Sequence, residues 1–155
     1  REVPGVNGTW DQGFRPADRV HLGVAVALRG GGLIAPAIHD ADTLTVDELM
    51  GALADVVTRA RGGRLRSGEM ADATVTVTNL GDTGADEVHG LIYPPQVALV
   101  GFGRIVERPW AADGMLGVHP TVRASLAADH RVTDGREGSR FLTVLDHLLP
   151  TPEEL

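Results

Sequence analysis

The chain has 155 residues, the size of one domain, and is 43% hydrophobic but only 4% aromatic, so its core must be built from Val, Leu, Ile and Ala. Its formal net charge is -7; all 14 basic residues are Arg, and neither Lys nor Cys occurs. These facts exclude a disulfide framework, Cys-ligated zinc or iron–sulfur sites, a Cys nucleophile, a Lys Schiff base and the Lys-dependent phosphate loop.

The acidic balance, with no basic cluster, argues against nucleic acid as a partner. No apolar run approaches the ~20 residues of a membrane span. Residues 1–10 lack the apolar segment of a signal peptide. A cytoplasmic protein is the expectation. Neither an internal repeat nor a linker divides the chain, so a single domain is expected.

In chain order, residues 1–19 are polar and rich in Gly and Pro, which predicts a loop or extended arm. His21–Leu28 alternates, with Leu22, Val24 and Val26 on one face, and Leu33–Ile38 reads as a second strand made irregular by Pro36. Gly30, Gly31 and Gly32 join them, so the pair reads as a hairpin rather than a phosphate cradle, which needs a helix after its glycines. Thr45 and Glu48 form a T-x-x-E capping box. Val46, Leu49, Met50, Leu53, Val56, Val57 and Ala60 follow at helical spacing, and Gly62-Gly63 ends the helix.

Thr74–Asn79 alternates strictly, with Thr74, Thr76 and Thr78 on one face. Residues 81–95 form a long loop. Val97–Ile105 is a dense apolar run, as in a strand buried on both faces. Thr121–Asp129 alternates again. A polar turn at Asp129–Gly135 leads into a second helix carrying Phe141, Leu142, Leu145, Leu148 and Leu149, with Pro150 after its end. Two helices with five or six strands, several of them consecutive, define an α+β fold.

Of the six histidines, His21, His39, His89, His119 and His147 sit at strand ends, in loops or on a helix surface, and read as surface or capping groups. No His pair has metal-ligand spacing, so no metal is expected. His130 differs. It lies in a turn between a strand and a helix, where a sheet fixes the backbone and leaves the side chain free to act. An imidazole is the side chain suited to taking and returning a proton near neutrality. The threonine row at 74, 76 and 78 is the other candidate, although β-propensity alone accounts for threonines on a strand. Without a G-x-S-x-G elbow, a serine hydrolase has no local support.

Five ordered segments resemble the catalytic domain of the dihydrolipoamide acyltransferases of 2-oxo acid dehydrogenase complexes. Asp129-His130-Arg131-Val132-Thr133-Asp134-Gly135 is similar to that family's D-H-R-V-x-D-G signature. Thr74-Val75-Thr76-Val77-Thr78-Asn79-Leu80-Gly81 is similar to its T-F-T-[IV]-[ST]-N-[IL]-G strand. Tyr93-Pro94-Pro95-Gln96-Val97-Ala98-Leu99-Val100-Gly101 is similar to its N-P-P-Q-x-A-I-L-G segment. The hairpin at 22–36 and Pro4-Gly5-Val6-Asn7-Gly8-Thr9-Trp10, similar to P-x-x-N-x-x-W, complete the set. Arg136 after the D-G pair, Val75 in place of Phe and a longer glycine turn depart from the family pattern.

The resemblance implies a chloramphenicol-acetyltransferase-like fold: a mixed sheet with helices packed on one side. It implies a homotrimer, which the family builds into cubic or dodecahedral cores, working with the decarboxylating dehydrogenase and dihydrolipoamide dehydrogenase components in a bacterial cytoplasm. Coenzyme A and lipoamide are the implied substrates, meeting in a channel between subunits. His130 becomes the general base on the thiol. Thr78 becomes the oxyanion donor, Asp134 an orienting group and Asn79 a supporting one. An acetyl or branched-chain acyl group is the expectation. The family's lipoyl and peripheral-subunit-binding domains and the front of its catalytic domain have no counterpart in these residues. The lipoyl arm, which needs a Lys, is therefore expected on another segment or chain. The alternative is a non-catalytic scaffold of the same fold; an unrelated acyl-binding or hydrolytic enzyme using His130 is a third reading.

Overall fold

In the computed structural model, residues 2–112 and 114–150 are described; Arg1 and residues 151–155, at the two ends of the expected domain, lie outside them. The N-terminal segment, expected as a loop or arm, makes one 3-10 turn at Pro4–Val6 and then a short hairpin, β1 (Gly8–Trp10) with β2 (Phe14–Pro16). The hairpin expected at 21–38 forms, but both of its arms are broken: β3 (Leu22–Val24) gives way to β4 (Val26–Ala27), and β5 (Leu33–Ile34) to β6 (Ala37–Ile38). Pro36 has no N–H to offer the ladder. Its carbonyl accepts from Val24 N–H at 3.0 Å, and the Ala25 N–H turns instead to the Val77 carbonyl at 2.9 Å. At the hairpin's tip Gly31 and Gly32 take φ values of 88° and 93°, a region that favours glycine.

Helix α1 (Val46–Arg61) starts as the capping box requires. Glu48 N–H donates to Thr45 Oγ1 at 3.3 Å, and Thr45 N–H donates to Glu48 Oε2 at 2.9 Å. Its stripe is only partly covered: Val56 and Ala60 are buried, while Val46 and Met50 stay exposed. A short helix, α2 (Ser67–Ala71), follows, which periodicity did not predict because five residues carry no period. It buries Glu69, whose carboxylate accepts from Arg59 Nη1 at 2.5 Å and from Arg66 N–H at 2.7 Å.

Strand β7 (Val75–Asn79) is as expected, and β8 (Ala98–Phe102) lies inside the predicted apolar run but stops three residues short of Ile105. β9 (Val106–Ala112) and β10 (Met115–Thr121) form a separate antiparallel ribbon, which alternation does not predict. Pro109 and Pro120 within it demote a strand reading from sequence, and Trp110, Met115, Leu116 and Val118 are exposed on it. The strand expected at 121–129 is β11 (Ala124–Ala128), and α3 (Gly135–Leu148) is the last element among the described residues. The described residues thus hold more strands than the five or six expected, because short irregular pairs escape periodicity.

The main sheet runs in the order β11–β8–β7–β3–β6. β7 is parallel to both of its neighbours and the outer pairs are antiparallel, so the sheet is mixed. Its register places Leu22 beside Val75, Val77 beside Val100, and Val100 beside Leu126. That face packs with Val3, Val6 and Val20 from the N-terminal segment and with Phe141 of α3. Residues of opposite parity place Gly23, Thr76 and Leu99 on the other face. There Thr76 is fully buried, and its hydroxyl donates to Gln96 Oε1 at 2.7 Å.

Thr76→Val leaves the buried Gln96 amide without that donor, so it is expected to destabilise the chain by about 1–3 kcal/mol. Urea unfolding of the two proteins measures it, and equal midpoints would contradict this role for the pair.

Candidate active site

The three threonines of the hydroxyl row have different fates. Thr74 is buried just ahead of β7; its hydroxyl donates to Asn7 Oδ1 at 2.6 Å and accepts from His21 N–H at 3.0 Å. Thr76 is held by Gln96. Thr78 alone of the three is part-exposed, with no hydrogen-bond partner for its hydroxyl among the described residues. Its neighbour across the β7–β8 ladder is Gly101. It lines an apolar cleft of about 390 Å³ with Leu33, Val88, Leu91, Tyr93 and Leu99. A free hydroxyl in an apolar cleft is a donor waiting for an oxygen to bind.

Asn79, expected to support the site, makes a local turn: its Oδ1 accepts from Gly81 N–H at 2.8 Å. It holds the corner where β7 leaves the sheet.

His130 is exposed at the end of β11, and its ring has no hydrogen-bond or ion-pair partner among the described residues. The backbone around it is tightly held. Asp129 N–H continues the ladder to the Val97 carbonyl at 2.8 Å, and the Asp129 carbonyl accepts from both Val132 N–H and Thr133 N–H at 2.9 Å. The buried Thr133 hydroxyl donates to the Gly5 carbonyl at 2.9 Å. Asp134 is the N-cap of α3: its Oδ1 accepts from Arg136 N–H at 3.0 Å and Glu137 N–H at 2.9 Å. The cap, four residues after His130, fixes where α3 begins.

Asp129 and Arg131, on either side of His130, grip one another. Arg131 Nε donates to Asp129 Oδ1 at 2.9 Å and Arg131 Nη2 to Oδ2 at 2.6 Å. The guanidinium holds the Asp129 carboxyl down at about 2. Above it the Arg131 guanidinium carbon lies 4.3 Å from the centre of the Trp10 ring. In the sequence Trp10 stands only at the end of the P-x-x-N-x-x-W segment, and no local signal gives its contact with a residue so distant.

The structure does not bring His130 and Thr78 together within one chain. Thr78 is level with Gly101, and Gly101 with Ser125. From Ser125 the strand runs three residues further to Ala128, roughly 10 Å at ~3.3 Å per residue, and His130 follows in the turn beyond it. Two strand spacings separate them sideways as well. Among the described residues no three His, Asp or Glu side chains group as metal ligands, and no helix is long and apolar enough to cross a membrane.

Comparison with known proteins now gives the context. The family model for 2-oxoacid dehydrogenases acyltransferase (catalytic domain) matches residues 1–155. The chain is 37% identical, over 94% of its length, to the dihydrolipoyllysine-residue acetyltransferase component of the pyruvate dehydrogenase complex of Mycobacterium bovis, and covers 28% of that protein. It is 32% identical, over 100% of its length, to the dihydrolipoyllysine-residue succinyltransferase component of the 2-oxoglutarate dehydrogenase complex of Pseudomonas aeruginosa, covering 38%. The chain therefore spans about a third of each of these relatives.

Among solved structures it superposes with a TM-score of 0.91 at 29% identity on the Azotobacter vinelandii dihydrolipoamide acetyltransferase, over 99% of this chain and 64% of that one. That structure was used to study the catalytic roles of a serine, of a histidine 52 residues after it and of an asparagine four residues beyond the histidine. A TM-score of 0.91 at 28% identity also relates it to the cubic core of the pyruvate dehydrogenase multienzyme complex, over 64% of that chain. The fold is thus the α+β, chloramphenicol-acetyltransferase-like one that the motifs implied.

Because the Asp129 carboxyl is held low in the folded chain, its contribution to stability is complete above its ordinary value of 3.8 and is lost as pH falls toward about 2. Acid unfolding followed by tryptophan fluorescence is expected to show a smaller loss of stability across that window for Asp129→Asn than for the native chain. Identical acid profiles would contradict the clamp.

Proposed function

The chain belongs to the 2-oxoacid dehydrogenase acyltransferase (catalytic domain) family, and on that premise we propose that it transfers an acyl group, acetyl in the first instance, between a dihydrolipoyl thiol and coenzyme A. The observation that carries the proposal is spacing joined to geometry. Thr78 lies 52 residues before His130 and Asp134 four residues after it, matching the serine, histidine and asparagine studied in the Azotobacter protein. Thr78 and His130 are also the two members of the set whose side chains have no hydrogen-bond partner among the described residues.

The chemistry follows from those groups. A thiol with a pKa of about 8.5 is mostly protonated at neutral pH and must lose its proton before it attacks. His130 takes the proton from the coenzyme A thiol as general base. The thiolate adds to the thioester carbonyl of the acyl-dihydrolipoyl group, and the carbonyl oxygen becomes an oxyanion. The Thr78 hydroxyl donates a hydrogen bond to it, an interaction worth about 2.7–4 kcal/mol in the transition state for one such donor. Collapse breaks the carbon–sulfur bond to the dihydrolipoyl sulfur, which receives the proton back from His130. The products are acyl-coenzyme A and free dihydrolipoyl thiol. Asp134 contributes by starting α3 and so fixing the turn. Asn79 contributes by shaping the corner after Thr78.

The separation of His130 from Thr78 along the sheet supports a site completed by a second copy, His130 from one and Thr78 from its neighbour. A trimer, joined into a larger core, provides that arrangement, with the dehydrogenase components of a 2-oxo acid dehydrogenase complex as partners in the cytoplasm. The 155 residues contain no Lys, so the dihydrolipoyl arm reaches the site from another segment or chain. The acetyl- and succinyltransferase relatives share this chain's pattern; acetyl is preferred because the more similar of the two carries it.

Assembled protein assayed with acetyl-coenzyme A and dihydrolipoamide is expected to turn over. His130→Ala is expected to lower turnover by roughly 10²–10⁴-fold. Thr78→Val is expected to lower kcat by roughly 10²–10³-fold with KM for coenzyme A little changed. An intact oligomer without turnover would favour the scaffold reading, and native-like turnover in His130→Ala would remove His130 from the mechanism.

A further inference from the structure

The imidazole of His130 has no hydrogen-bond partner among the described residues, so its aim is set by the backbone that carries it and by the residues on either side. An exposed Arg–Asp pair is ordinarily loose, because both long side chains keep alternative rotamers and water competes for the charges. The Arg131 side chain is 59% exposed, yet its partner Asp129 is only 11% exposed, and the fork is closed by bonds to both carboxylate oxygens. The feature that turns this pair into a fixed element is the Trp10 ring, stacked 4.3 Å from the guanidinium carbon. A guanidinium held over an indole face loses freedom to swing away.

Trp10 is itself anchored. Its backbone N–H donates to the Pro95 carbonyl at 2.7 Å, and it faces Phe14 across the β1–β2 hairpin. Its neighbour Thr9 bridges Gln96, the residue that receives the Thr76 hydroxyl. The segment just ahead of Pro95 carries Tyr93, part of the wall of the Thr78 cleft. One short hairpin therefore meets the His130 turn through Arg131 and, through the backbone of 95–96, the segment that follows Tyr93 of the cleft wall.

We infer that Trp10 is a positioning residue for His130: its indole face fixes Arg131, Arg131 fixes Asp129, and the closed pair sets the direction in which the His130 ring leaves the turn. This rests on the reading of His130 as the general base. A loosened clamp leaves the base present but misdirected, so the loss falls on kcat, with coenzyme A binding unchanged.

The test uses the assembled full chain with acetyl-coenzyme A and dihydrolipoamide. Trp10→Leu and Arg131→Lys are each expected to lower kcat by roughly 10–100-fold with KM for coenzyme A unchanged, since small displacements of a reacting group carry losses of that size. Lysine keeps the charge but has no planar fork to grip a carboxylate or lie on a ring. Trp10→Phe keeps an aromatic face and is expected to recover most of the rate. The Trp10→Leu/Arg131→Lys double variant is expected to be no slower than the slower single one, because both act through one contact.

Native kcat in folded Trp10→Leu, no recovery in Trp10→Phe, or multiplied losses in the double variant would each overturn the inference. Should Trp10→Leu not fold, Arg131→Lys decides: native kcat overturns the inference and a reduced kcat at unchanged KM supports it. His130→Ala run in parallel separates the two levels. Native-like turnover there removes the base itself, whereas an inactive His130→Ala beside a fully active Trp10→Leu removes only the positioning role.

Discussion

The register of β7, β8 and β11 is the constraint from which the rest follows. Parallel pairing sets Thr78 beside Gly101, and antiparallel pairing sets Gly101 beside Ser125. Those hydrogen-bonded ladders cannot slip by one residue without turning every core side chain to the wrong face. They therefore hold Thr78 at one end of the sheet and His130 at the other. An active site that needs both groups within hydrogen-bond reach of one thioester cannot close inside a single copy. On the proposed acyl transfer, strand pairing makes the site depend on assembly.

Each half of the site is stiffened by the same economical means. On the threonine row, the two hydroxyls that would be buried without a partner are paired with Asn7 and Gln96, and only the third is left open. Buried polar groups left unpaired are costly, so pairing at 74 and 76 and freedom at 78 is the arrangement expected of a strand that both supports and works. At the histidine turn, the Asp129 carbonyl, the Thr133 hydroxyl and the Asp134 cap hold the backbone. The N-terminal segment serves both halves: Asn7 receives Thr74, Gly5 receives Thr133, and Trp10 covers Arg131.

Much of this was legible in the sequence where a local pattern carried it. The Thr45–Glu48 box marked the start of α1, the alternation at 74–79 gave β7, the apolar run gave β8, and the polar turn after β11 gave the place of His130. What escaped has physical reasons. The β9–β10 ribbon contains Pro109 and Pro120 and exposes its apolar residues, so it lacks the half-buried alternation of an ordinary strand. Helix α2 is too short for a period. The broken arms of the 21–38 hairpin depend on where the Ala25 N–H finds its carbonyl, on a neighbouring strand. Residues 1–19 looked like a loose arm because their worth lies in contacts with residues more than 60 positions away. Within the threonine row, period alone could not say which hydroxyl is free; the partners Asn7 and Gln96 decide it, and they come from elsewhere in the chain.

The most direct test of a site divided between copies is subunit complementation. His130→Ala and Thr78→Val chains, each nearly inactive alone, are dissociated, mixed in equal amounts and reassembled. If one copy supplies the base and its neighbour the hydroxyl, random assortment in a cyclic oligomer gives about a quarter of the sites both native groups, and acyl transfer returns to about that fraction of the native rate. If both groups act within one chain, no mixed site is ever complete, and reassembled mixtures that stay as inactive as the parents would contradict the account.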